Sequence, residues 1–161
     1  MSLELTIRNR QRKRRVDSRL LRQITTGLLR DLLVVESVEL GVTIVAAPEM
    51  ARMNWQFLQH EGSTDVITFD HSEAQESRRQ AAPGCRQING ELFLCVDEAV
   101  AQARSFRTTW QAELVRYVVH GILHLLGHDD HHAAPRRRMK REENRLVRLL
   151  AARFAFRKLG K

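Results

Sequence analysis

Cysteine is scarce in this 161-residue sequence: Cys85 and Cys95 are the only two, and they form no Cys-x-x-Cys unit. A disulfide scaffold and a thiolate metal site are thereby excluded. A reducing, cytoplasmic setting is the expectation, with Cys95 a small core residue of a strand. A bridge across the intervening loop is the lesser alternative. Long apolar runs are missing too. No stretch approaches the roughly 20 uncharged residues of a bilayer-spanning helix, so no membrane partner is expected. The opening Met1-Ser2-Leu3-Glu4-Leu5-Thr6-Ile7 lacks the basic-then-apolar layout of a signal peptide, and no export is expected. Repeats, low-complexity tracts and an internal boundary are equally lacking, which makes residues 1–161 one expected domain with a substantial core.

Charge, by contrast, is plentiful and unevenly placed. The net +8 resolves into +5 over residues 1–15, −6 over 16–132 and +9 over 133–161. Two basic ends suit a polyanion, which they bind with release of its counterions. Charge alone fits a solvated helix face just as well.

Hydrophobic periodicity gives an α+β order. Leu3, Leu5 and Ile7 alternate with polar residues as a strand does, and Val38, Leu40, Val42 and Ile44 repeat the pattern. Val66, Ile67 and Phe69 suggest a third strand and Leu92 to Val96 a fourth, the last two with opposite polarity. Helical spacing runs from Ser18 to Leu33, with Asp17 or Ser18 as cap, and from Pro48 through Phe57. Asp97 is a candidate cap for a helix ending near Phe106. Thr108 with Gln111 reads as a capping box for a helix to Leu126. Pro135 opens a basic terminal helix packed through Met139, Leu146, Val147, Leu150 and Phe154. Residues 71–89, with Pro83-Gly84, read as a polar loop. The expected architecture is a four-stranded mixed sheet packed with about five helices.

The informative segment is His120-Gly-Ile-Leu-His124-Leu-Leu-Gly127-His128-Asp129-Asp130-His131. Two histidines at i and i+4 share one helix face, close enough for both rings to reach one ion at about 2.1 Å. Gly127 can end the helix in a left-handed turn and bring the chain back toward that ion. A third ligand then comes from the residues just beyond. The spacing is similar to that of zincin-like metal helices, whose ligands fall at positions 0, 4 and 10 with glycine at 7. Counted so, Asp130 is the third ligand, with His131 one residue later as the alternative. Peptide hydrolysis by such helices needs a Glu after the first His, and Gly121 stands there.

In His120-Gly-x-Leu-His124-Leu-x-Gly127-x-Asp129 the sequence resembles the YbeY family of bacterial endoribonucleases. Asn54 to Phe57, Thr64-Asp65-Val66-Ile67-Thr68-Phe69 and Gly90-Glu91-Leu92 resemble two further blocks of that family, in the right order. The resemblance implies an α+β metalloprotein that acts on single-stranded RNA, matures ribosomal RNA (notably the small-subunit 3′ end) and serves ribosome quality control. It implies zinc on His120, His124 and Asp130 or His131, with nickel or iron also suited to these donors. Asp65, His128 and His60 are the expected groups for proton transfer or support of the site, in that order. His128 stands at a family Tyr, Glu91 at an Asp, and Leu58 at an Arg implicated in RNA cleavage, with His60 as its partial substitute. A non-catalytic, metal-stabilised assembly factor for the ribosome is the competing expectation; a metalloprotease is the weaker one.

Overall fold

A computed structural model describes residues 1–72 and 86–161. The expected loop around Pro83-Gly84, and Cys85 with it, lie outside the described residues. Four strands form one mixed sheet: β1 (Ser2–Asn9), β2 (Ser37–Val45), β3 (Val66–Asp70) and β4 (Gln87–Cys95), in the order β1-β2-β4-β3. Strands β1, β2 and β4 are parallel, and β3 runs antiparallel to β4 with Ile67 opposite Phe93. The expected opposite polarity of the two short strands is therefore seen, although β4 starts five residues before Leu92.

Alternation decides which face each strand buries. Val38, Leu40, Val42 and Ile44 join Leu92 and Leu94 in the main core. Over them lie α1 (Ser18–Gly27) and α4 (Trp110–Leu125), which contribute Leu21, Ile24, Leu114, Val118 and Ile122. On the opposite face, Val45, Ile67, Phe93 and Cys95 form a smaller cluster under Met50 and Met53 of α2 (Ala47–Leu58). Helices α3 (Val96–Phe106) and α5 (Ala133–Arg153) bring the α-helices among the described residues to five, and a short 3₁₀ turn, Phe156–Leu159, follows. Cys95 is buried and free.

Several boundaries differ from the expected ones for local reasons. Asp17 does cap α1, accepting from the Leu20 amide at 3.0 Å, but the helix widens into a π turn at Leu28–Leu32. The cap of α4 is Thr109, which accepts from the Ala112 amide at 3.2 Å. Thr108 instead donates to Glu113 at 2.7 Å, and Gln111 reaches the Gly160 carbonyl at 2.7 Å. Asp97 lies inside α3 and caps another helix: it accepts from the Ala47 amide at 2.6 Å, at the start of α2.

Gly90 fixes how closely the end of α4 meets the sheet. A Cβ there would lie 2.4 Å from the Phe69 carbonyl oxygen and 2.8 Å from Leu125 Cδ2. The carbonyl belongs to the strand ladder and cannot yield as a side chain would. Gly90→Ala is expected to cost about 1–3 kcal/mol, the usual range for overpacking, read as a lower urea midpoint with an unchanged m value.

Candidate metal centre

Helix α4 is buried nearly all round. From Gln111 to Leu125 its only residues not fully buried are Ala112, Arg116, His120 and His124. They are spaced by four, so a single stripe of the helix meets solvent, and both histidines stand on it. Gly127, with φ of 95°, then reverses the chain, and the His128 amide donates to the Leu123 carbonyl at 3.0 Å. That turn returns Asp130 to the stripe.

Three donor atoms converge there. His120 Nε2 and His124 Nε2 are 3.1 Å apart, and Asp130 Oδ2 lies 3.2 Å from the second and 3.7 Å from the first. Donors about 2.1 Å from a tetrahedral ion stand roughly 3.4 Å from one another, so the triangle suits zinc and leaves a fourth position open. Borderline imidazole nitrogens and one carboxylate oxygen are donors that zinc accepts. His131 lines the same cavity, but its side chain is 86% exposed and its Nε2 sits 3.8 Å from the other oxygen of Asp130, in a second donor group with Asp129 and Asp130. Metal analysis checks the difference. Asp130→Ala protein is expected to retain little ion after dialysis, and His131→Ala protein a full equivalent.

Electrostatics separate the two histidines. Burial works against charge on both rings. For His120 it is outweighed by a hydrogen bond from Nδ1 to Glu143 Oε1 at 2.8 Å and by the charges of Glu143, Asp65 and Asp130, so its pKa is raised. For His124, burial and the neighbouring His120 prevail, and its pKa is lowered. Glu143 is itself buried. Its burial would raise its pKa, but bonds from His120, Arg116 (2.7 Å) and Lys140 (3.0 Å) hold it down at about 2. A carboxylate behind a ligating histidine fixes the ring's tautomer and direction. Sequence reasoning missed Glu143, though a signal was present: it falls between Met139 and Leu146 on the apolar stripe of α5, where a charge needs a buried partner.

The donors open into a cavity of about 510 Å³ whose walls also carry Leu58, His60, Asp65 and Thr68. Asp65 Oδ1 accepts from the Val66 amide at 2.8 Å and from the Thr64 hydroxyl at 3.3 Å. His60 is exposed at the rim. The Gly127 turn places His128 in the lining of a neighbouring pocket with Arg86 and Arg138, while its backbone bonds the His124 ring. Of the aromatics, Trp110 is core at 8% exposure, whereas Trp55 (59%) and Phe57 (53%) stand out from α2 beside Leu58. The two basic ends also part. Lys13, Arg14 and Arg15 line a pocket with residues 158–161, where the Asp17 amide bonds the Leu159 carbonyl at 2.8 Å and Arg14 lies 5.5 Å over Trp110. Trp110 and His120 are ten residues apart on α4, so that patch is about 15 Å from the metal centre. In the other basic run, Arg138 lines the pocket next to the donors and Lys140 bonds Glu143 behind His120.

Sheet and site together define the class, an α+β protein with a zincin-like helix whose two histidines and one aspartate suit a metal ion. The family model described as Endoribonuclease YbeY matches residues 6–151. Endoribonuclease YbeY of Chlorobium luteolum is 31% identical over 148 residues, 92% of this chain and 98% of that protein. The Chlorobium phaeovibrioides protein of the same name is 36% identical over 103 residues, 64% of this chain and 62% of the relative. That second alignment spans less than two-thirds of the relative's length. The solution structure of TM1509 from Thermotoga maritima shares the fold, with a TM-score of 0.65 and 24% identity over 93% of this chain and 91% of that one. The chain belongs to the endoribonuclease YbeY family.

Proposed function

We propose that this protein is a zinc-dependent endoribonuclease that hydrolyses single-stranded RNA, matures the 3′ end of small-subunit ribosomal RNA and takes part in ribosome quality control in the cytoplasm. The observation that carries the reading is the donor triangle of His120, His124 and Asp130, open to a cavity, in a chain of this family. A bound ion supplies Lewis-acid polarisation of a phosphoryl oxygen and a water made more acidic. Asp65 has one oxygen engaged by its own loop, which leaves Oδ2 to accept the proton that the attacking water releases. His60 at the rim delivers a proton to the departing oxygen. Trp55 and Phe57 offer rings on which unpaired bases stack, the source of single-strand preference.

Proteolysis is opposed at Gly121. The position carries no carboxylate, and a Cβ on it would lie 2.6 Å from Leu92 Cδ2 in the core. A second reading has Leu58 in its favour, since it brings no charge to the cavity wall: a ribosome-assembly factor in which the ion only fixes the fold. Incubation with a labelled single-stranded RNA and with casein, before and after chelation, separates the three. The expected result is RNA cleavage that chelation stops and zinc restores, with casein intact. Digested casein, or RNA left whole under every condition, would overturn the proposal.

A further inference from the structure

The metal cavity has a neighbour. Gly127 lines both it and a second pocket of about 380 Å³, where two charged arginines, Arg86 and Arg138, stand with the His128 imidazole beside Asp129. These residues come from three separate segments. Arg86 precedes β4, His128 leaves the turn that ends α4, and Arg138 lies in the second turn of α5. Among the described residues neither arginine has a carboxylate within ion-pair distance.

The nearby acids are already engaged. Glu142 takes Nε and Nη2 of Arg145 at 3.0 and 2.6 Å. Asp129 accepts from the His131 amide at 2.7 Å and lies 2.5 Å from His132 Nδ1. Two guanidinium forks and an imidazole thus share a recess whose carboxylates are held by other partners. A tetrahedral oxyanion offers what such forks take: several acceptors and a negative charge.

We propose that Arg86, His128 and Arg138 form a subsite for a backbone phosphate of the RNA flanking the bond cut at the metal centre. This rests on the ribonuclease reading and adds to it a fixed path for the strand, from the donor triangle around Gly127 into the basic recess. Contacts of this kind position the strand and do not read its bases.

The test uses zinc-loaded protein and a fluorescent single-stranded RNA, with binding followed by anisotropy over a range of salt and cleavage followed in parallel. Arg86→Ala and Arg138→Ala are each expected to weaken binding about tenfold, the size of a lost charge-assisted contact. Each should raise KM similarly with kcat within about twofold, and lower the salt slope by about 0.7 where a single strand loses one phosphate contact. Arg138 is exposed and Arg86 partly so, and thermal midpoints should stay near that of the parent. RNAs bearing one neutral methylphosphonate linkage then locate the phosphate. Next to the cleavage site, such a linkage should cost the parent the same factor and cost Arg138→Ala nothing more. Parent-like binding and salt slope in both variants would overturn the subsite and leave the ribonuclease reading standing. Weakened binding with no methylphosphonate effect at any flanking linkage would overturn it too, in favour of diffuse attraction. RNA that binds the parent, weakens in the variants and is never cut would support the subsite and sink the nuclease reading. No binding by the parent would sink both.

Discussion

Replacing His124 with alanine is expected to abolish zinc retention and lower RNA cleavage by on the order of 10³-fold, with little change in the thermal midpoint of the metal-free protein. The rate follows from losing one of three donors: an ion that contributes several kcal/mol to charge stabilisation is lost, at about 1.4 kcal/mol per factor of ten. The unchanged midpoint follows from the surroundings. The His124 side chain is 26% exposed, and its hydrogen bonds reach His120, Asp130 and the His128 backbone, all in the site itself. Truncation leaves a notch that water fills, with no cavity in the core. Activity and melting of the metal-free forms, measured side by side, separate catalysis from support of the fold. Full cleavage by a variant without zinc would remove the metal centre from the mechanism. A collapse of the metal-free fold would favour the assembly-factor reading.

What the sequence disclosed about this site is what helical geometry makes periodic. Four-residue spacing placed His120 and His124 on one stripe, and a glycine after them announced the reversal that brings Asp130 back. Alternation likewise revealed the strands, and the antiparallel pair followed from two short segments close in the chain. Features that depend on distant segments were hidden. Asp97 looks like a cap for its own helix because nothing local shows that Ala47, fifty residues away, offers it an amide. Thr108 and Thr109 have the same hydroxyl, and only the backbone decides which one accepts from Ala112. His128 sits between metal-ligand candidates in sequence, yet a single left-handed residue turns it into another pocket. Glu143 was hidden for a different reason. Its partner is a histidine already explained by the metal, so neither residue seemed to need the other.

Glu143→Gln is expected to destabilise the metal-free protein by about 3 kcal/mol at pH 6 and to weaken zinc binding by roughly 10- to 100-fold, although Glu143 is not itself a donor. The first figure follows from its carboxyl being held at about 2 against an ordinary 4.5, at 1.36 kcal/mol for each pH unit. A depressed carboxylate stabilises the fold above its unfolded value, and that contribution is lost as pH falls from 4.5 toward 2. His120 acts in the opposite direction: its raised pKa stabilises the fold below 6.5, and the contribution fades as pH climbs through the raised value. The gap in stability between parent and variant should therefore be widest between about pH 4.5 and 6.5 and narrow on both sides. Zinc affinity suffers because glutamine presents an amide where a carboxylate had fixed His120 with Nε2 toward the cavity. Urea titrations of both proteins from pH 2.5 to 8, with competitive zinc titration at pH 7, measure the two effects. A gap that stays constant with pH would mean that Glu143 acts only by packing. Zinc affinity equal to the parent's would mean that His120 needs no partner to hold its direction.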